Sequence, residues 1–276
     1  MAKEKVLVLV KTYPCLSQKY DELVCTAGIR EDGSWIRIFP VPFRKLDPYS
    51  QYDKYDWIEV DLEKNTKDFR PESYRPVDLA KPIIPVGHID TQSGWAARRE
   101  LVLRNVYTDM GKLISDCKNT QMSLAVLKAN ITGFVIKEVE REWDPKKLEI
   151  VRANQNQLDL FEQKEVFEVV KKLPYEFSYK FTTDDGKPHT LMIEDWELGA
   201  LYWKCLRANK FDEKIACEKV KQMYYDHMVG DCDLYLFLGT TKEMQQRNMP
   251  NPFVVIGTFY PPKQNEGQLS LFEHLK

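Results

Sequence analysis

Ala27-Gly28-Ile29-Arg30-Glu31-Asp32-Gly33-Ser34-Trp35-Ile36-Arg37-Ile38-Phe39 is the stretch on which the fold turns. Its centre, Glu31-Asp32-Gly33-Ser34, is a hairpin turn signal, because glycine adopts the positive φ of a tight turn without steric cost. After the turn, Trp35 to Phe39 alternates large apolar residues with polar ones, the period of a strand with one face in a core. Before it, Glu22 to Ile29 reads as the antiparallel partner. Lys5 to Val10 supplies a β-branched strand ahead of the hairpin, and Trp57 to Leu62 a fourth strand behind it. Prolines at 71, 76, 82 and 85 mark an irregular stretch between strands.

Further along, Leu101, Leu103, Met110, Leu113 and Ile114 fall at helical spacing, which predicts helix between Trp95 and Leu127. Ile131 to Glu138 returns to a strand pattern. Strands at Glu176 to Phe181 and Thr190 to Ile193 flank the turn Asp184-Asp185-Gly186. Trp196 to about Met228 is helical, with Leu198, Leu201, Tyr202 and Cys205 on one face. Leu234 to Leu238 and Phe253 to Phe259 close the pattern as buried strands. The class this predicts is α+β: mostly antiparallel, β-rich subdomains with one or two inserted helices, and no βαβ alternation for a doubly wound sheet. We expect a β-rich N-terminal domain over 1–143, a linker over 144–175, an α+β domain over 176–262 and a polar tail over 263–276.

The chain has 276 residues and a net charge of −2, so bulk positive charge does not drive it onto nucleic acid. No apolar run approaches the ~20 residues that span a bilayer, and Val6 to Val10 is too short for a signal-peptide core. The expected location is the cytoplasm, with no membrane partner. Cys15, Cys25, Cys117, Cys205, Cys217 and Cys232 are scattered without a C-x-x-C pair, which predicts free thiols rather than a disulfide framework or zinc site.

Two pentapeptides stand out: Gln157-Leu158-Asp159-Leu160-Phe161 in the linker and Gln268-Leu269-Ser270-Leu271-Phe272 near the C-terminus. Average residue usage gives such a match at roughly two positions per million, so two in one chain are not chance. Both fit Q-L-[SD]-L-F, which resembles the consensus by which bacterial polymerases and repair proteins bind the β sliding clamp. The resemblance implies a partner rather than a fold. Burying one Leu and one Phe in a pocket is worth about 1.5–3 kcal/mol each, so one peptide should bind at about micromolar Kd. Two copies on one chain gain from effective concentration.

The hairpin and the residues after it carry Arg30, Arg37, Arg44 and Lys45 interleaved with Trp35, Phe39 and Phe43. Small barrels of the OB type bind single strands with such a mixture of stacking rings and phosphate-pairing cations. The same alternation also suits a strand whose apolar residues pack while its arginines face water. The stretch Ala27-Gly28-Ile29 to Trp35-Ile36-Arg37 loosely resembles uncharacterised prokaryotic proteins with paired OB-like barrels. That resemblance implies OB-like subdomains and a nucleic-acid association.

His189, Asp195 and Glu197 are the candidates for a catalytic site, with Asp184, Asp185, Asp231 and Asp233 as possible neighbours. Asp195 has a simpler role available as the cap of the helix starting at Trp196. No phosphate-binding glycine loop, nucleophile elbow or zinc motif is present, so no cofactor or metal is expected. The expectation is a non-enzymatic accessory module of DNA replication, repair or phage defence, recruited to the clamp. The alternative is a clamp-recruited nuclease or nucleotide-modifying enzyme.

Overall fold

The computed structural model describes residues 2–17, 21–79, 81–151, 153 and 169–264. Both clamp-type peptides, 157–161 and 268–272, lie outside the described residues, as does the tail from 265 on.

β1 (Ala2–Lys11) pairs antiparallel with β3 (Asp21–Ile29), and β3 with β4 (Trp35–Val41). The turn between them has the expected geometry: Arg30 N–H donates to Ser34 O at 2.9 Å, and Gly33 sits at φ 83°. β4 then pairs in parallel with β6 (Ser73–Pro76), β6 with β5 (Asp56–Lys64), and β5 with β1. The five strands close into a barrel of the OB-like type. Val6, Val8, Ile36, Ile38, Ile58 and Val60 fill it. The short β2 (Cys15–Ser17) extends the β3 edge, and β7 (Ile84–His88) extends β5. The proline-marked stretch is therefore not merely irregular, because it supplies the closing strand β6. Pro76 is tolerated because it ends that strand, where little ladder bonding is lost.

The second half repeats the strand order. β9 (Leu124–Leu127) and β10 (Asn130–Glu138) run on from one another; β9 pairs with β13 (Tyr235–Thr240) and β10 with β11 (Tyr175–Thr182). β11 pairs with β12 (Pro188–Met192), and β13 with β14 (Phe253–Phe259). A single parallel bridge, Ile193 to Val255, joins the β12 end to β14, with Glu194 N–H donating to Val255 O at 2.7 Å. The result is a partly open barrel. Ala125, Phe177, Leu191, Leu236 and Val255 share its core with Leu198, Tyr202 and Leu206 of the plugging helix over Trp196–Ala208.

The predicted helix over 95–127 is divided. Helix α1 (Gln92–Val102) and helix α2 (Met110–Thr120) flank the two-residue β8 (Val106–Tyr107), and Leu124–Leu127 is a central strand. Apolar spacing cannot separate a short buried strand from a helix end. The C-terminal helical reading likewise breaks into α3 (Trp196–Ala208) and α4 (Glu213–Lys221), followed by a wide π turn over Gln222–His227. The division between the halves falls near residue 105, not at 144–175, because β9 and β10 belong to the second barrel. No helix among the described residues is long and apolar enough to cross a membrane.

The barrels pack side by side, and this explains why Val6 to Val10 of β1 is apolar throughout. Val6 and Val8 point into the first barrel, while Leu7 and Leu9 point out against Val126, Phe237, Val254 and Ile256 of the second. Both faces of the strand are core.

Candidate ligand cleft

On β4, Ile36 and Ile38 face the barrel interior, so Arg37 and Phe39 face outward. Near the turn, that outer face is covered by the second barrel. Toward Phe39 the barrels diverge and leave a cleft of about 1040 Å³. That is at the upper end of the ~300–1,000 Å³ typical of small-molecule sites.

One wall is the β3–β4 face (Cys25, Arg37, Phe39) with the β1–β3 connection (Tyr13, Leu16) and the β5–β6 connection (Lys67, Arg70). In OB-type barrels the face of the second and third strands, with these two connections, takes oligonucleotides and oligosaccharides. The opposite wall comes from the second barrel: Met192, Glu194, Val254 and Ile256, then Thr240 to Lys242. Trp143 and Tyr175 close one end. Phe39, Tyr13, Trp143 and Tyr175 are the aromatic lining; the cations Lys67, Arg75, Lys172 and Lys242 share the cleft with Asp68, Glu140, Glu176 and Glu194, and Arg75 pairs with Glu63 at 2.6 Å.

Buried charges stiffen the first wall. Arg37 is 5% exposed; its guanidinium donates to Ser123 O and Ser123 Oγ, each at 3.2 Å, and to Cys25 Sγ at 3.4 Å. Its Nε has no partner. Burial pushes the guanidinium pKa down. Arg70 pairs with Asp68 at 2.6 Å and donates to Thr240 O at 2.7 Å, which ties the first barrel to the second. Burial raises the Asp68 carboxyl, but hydrogen bonds and charge from Arg70 outweigh it and hold the pKa at about 2. Across the cleft, burial raises the Glu194 carboxyl, and Arg37 pulls it back.

The expected hairpin site is therefore split. Phe39 lines the cleft and Arg37 forms its buried wall, so Arg37 does not face water. Arg30 lies outside the cleft, paired to Glu4 at 2.8 Å. Trp35 packs edge-on against Phe237, with ring centroids 6.1 Å apart. Arg44 and Lys45 sit on a 3-10 turn over Phe43–Lys45, apart from the cleft. Sequence reading missed Tyr13, Lys67, Trp143 and Glu194, which periodicity cannot single out because three lie in connections and the fourth follows a strand end.

The candidate catalytic residues do not converge. His189 pairs with Asp185 at 2.9 Å, on the β11–β12 hairpin. Burial raises the Asp185 carboxyl, but hydrogen bonds from Lys187, Thr183 and His189 outweigh it and keep the pKa at about 2. Asp195 caps α3, accepting from Glu197 N at 3.1 Å, and also accepts from Tyr224 Oη at 3.0 Å. Glu197 pairs with Lys54 at 3.3 Å. Asp233 is held by Arg99 and Lys128, and Asp231 by His227. Among the described residues, no group of three or more His, Cys, Asp or Glu could hold a metal. One unforeseen arrangement places Cys232 Sγ 3.7 Å from His227 Nε2, with Asp231 on the other ring nitrogen at 2.9 Å. Burial, then Asp231, pushes that thiol pKa up, the direction opposite to a reactive thiolate.

Fold and cleft together define a class, an α+β protein in which a closed five-stranded barrel packs beside a partly open one. Family comparison divides the chain at the same point: residues 2–104 match the model described as Domain of unknown function (DUF8758), and residues 106–276 match Domain of unknown function (DUF8757). The second match spans more than half of the chain, and the chain belongs to that family. No curated protein matches it.

Proposed function

We propose that this is a cytosolic accessory protein of DNA metabolism that binds single-stranded nucleic acid in the cleft between its barrels. The observation that carries the reading is the coincidence of the cleft with the β3–β4 face and its two flanking connections. Rings at Phe39 and Trp143 suit stacked bases, and Lys67 and Lys172 suit a phosphate backbone. A chain of net charge −2 can bind nucleic acid this way because the cations are local. The two Q-L-[SD]-L-F peptides would deliver the protein to the β sliding clamp, and their support is the sequence match. Replication, repair and defence against phage all offer exposed single strands at the clamp.

The test is fluorescence anisotropy with a labelled 12-nucleotide strand over a range of salt concentrations. The wild type should bind, with log affinity falling linearly in log salt. Phe39→Ala and Trp143→Ala should each lose about 1–3 kcal/mol, the usual worth of one base–ring stack. Arg44→Ala, outside the cleft, should bind as the wild type does. Absence of binding at low salt sinks the reading.

A further inference from the structure

The connection between α3 and α4 holds two long side chains in the left-handed region, Lys210 at φ 54° and Phe211 at φ 64°. That backbone is uncommon for a ring-bearing residue and clusters where function demands it. It is fixed by Phe211 N–H, which donates to Leu206 O at 2.9 Å, and by Asp212 N–H, which donates to Asn209 O at 3.0 Å. The result is a phenylalanine that is 71% exposed, on a corner it shares with the exposed Ile215 of α4. Lys204, Arg207, Lys210 and Lys214, on the adjoining turns, are exposed and pair with no acid among the described residues. The two acids between Lys204 and Lys214 are engaged: Asp212 accepts from Ile215 N at 3.0 Å, and Glu213 holds Arg141. An exposed ring among unpaired cations complements a polyanion that carries flat apolar faces.

The corner adjoins the cleft. Tyr175, which closes one end of it, donates from Oη to Glu213 Oε2 at 2.9 Å, and Glu213 is two residues from Phe211. Arg141, two residues before Trp143, donates to the same carboxylate at 2.6 and 2.9 Å. We infer that this corner is a second contact for single-stranded nucleic acid. A strand leaving the cleft past Tyr175 stacks a base on Phe211 and sets its phosphates against Arg207 and Lys210. The inference rests on the reading that the cleft takes single strands. Its signature is a dependence on strand length, because only a strand longer than the cleft reaches the corner.

Anisotropy is measured with labelled oligothymidines of about 5 and about 15 nucleotides, within the ~4–16 that a barrel of this type covers. Phe211→Ala should weaken the longer strand about tenfold, the scale of one base–ring stack, and leave the shorter unchanged. Phe211→Trp, which keeps a stacking face, should bind the longer strand as the wild type does. Arg207→Ala with Lys210→Ala should flatten the salt slope of the longer strand by roughly 1.4, at about 0.7 per phosphate contact, and not that of the shorter. Thermal unfolding checks that each variant folds. Unchanged affinity of Phe211→Ala for the longer strand overturns the corner contact and leaves the cleft reading standing. Equal losses on both strands also count against it, since the corner would then not be a separate contact. No binding of either strand by the wild type overturns cleft and corner together. Sedimentation with phosphatidylglycerol vesicles that requires Phe211, while strand affinity does not, would give the corner to a lipid surface instead.

Discussion

Arg37, on β4 of the first barrel, donates two hydrogen bonds to Ser123, at the threshold of the second barrel's first strand. Glu72 completes the junction by accepting from Ser123 N at 2.9 Å and Ser123 Oγ at 3.2 Å. A residue in the middle of an alternating strand thus becomes the joint between two halves of the molecule and the wall of the cleft.

Replacing Arg37 with Ala should therefore destabilise the whole chain. Hydrogen bonds from a charged donor contribute about 1.5–3 kcal/mol, and the Ser123 carbonyl would keep only the bond from Thr240 N at 3.0 Å. We expect a loss of at least about 2 kcal/mol, seen as a fall in Tm of several degrees, since about 1 kcal/mol moves Tm by roughly 2–4 °C in proteins approaching this size. Arg30→Ala, which loses the part-buried pair with Glu4 and a contact over the Tyr74 ring but no bond between the barrels, should cost less than Arg37→Ala.

Gly28→Ala is a test of barrel closure. A Cβ there would lie 2.1 Å from the Leu7 carbonyl oxygen and 2.8 Å from Val6 Cγ1. The obstacle is strand backbone, which cannot rotate away, so β1 and β3 would have to part. We expect destabilisation of at least about 3 kcal/mol, the range reserved for substitutions that force the core apart. Denaturant unfolding measures it.

Asp195 should leave a mark on the pH dependence of stability. Burial lifts its carboxyl from 3.8 to about 6 in the folded chain, although Lys54 pulls the other way. Between those values the unfolded chain releases this proton while the folded chain keeps it. Its contribution to stability is therefore fully present below pH 3.8 and is lost as the pH rises through about 6. Asp195→Asn can still cap α3, and it carries no ionisation cost. The difference in unfolding free energy between variant and wild type should move in favour of the variant from about pH 4 to pH 6. A flat difference across that window contradicts the assignment.

Clamp binding should reside in the two pentapeptides and not in the barrels. Leu271→Ala with Phe272→Ala removes about 3–6 kcal/mol of burial at the upper bound, enough to abolish binding by the isolated tail peptide. In the full chain, adding Leu160→Ala and Phe161→Ala should remove what remains. Calorimetry with purified clamp measures both, and binding that survives all four changes would place the contact elsewhere.

The first barrel was legible because its strands carry local signals. The turn at Gly33, the alternation of Trp35 to Phe39 and the run Lys5 to Val10 each state their own conformation. The class, α+β with OB-like barrels, follows from them. The helical reading of 95–127 failed where buried strand and helix share an apolar pattern, at Leu124–Leu127, and β6 was hidden because a closing strand of four residues between prolines has almost no pattern to show.

By itself the sequence determined the strands around the Gly33 turn with their period, and the cap at Asp195. It could not determine which outward face of a strand meets solvent. Alternation says that Arg37 points away from the barrel interior, but only the packing of a second barrel against that face decides that it is buried. The same packing gathers Tyr13, Lys67, Arg70, Trp143 and Glu194, from connections and strand ends far apart in the chain, into one cleft. Periodicity is set by neighbours along the chain, whereas a cleft is set by neighbours across it, and those exist only once the barrels have closed and docked.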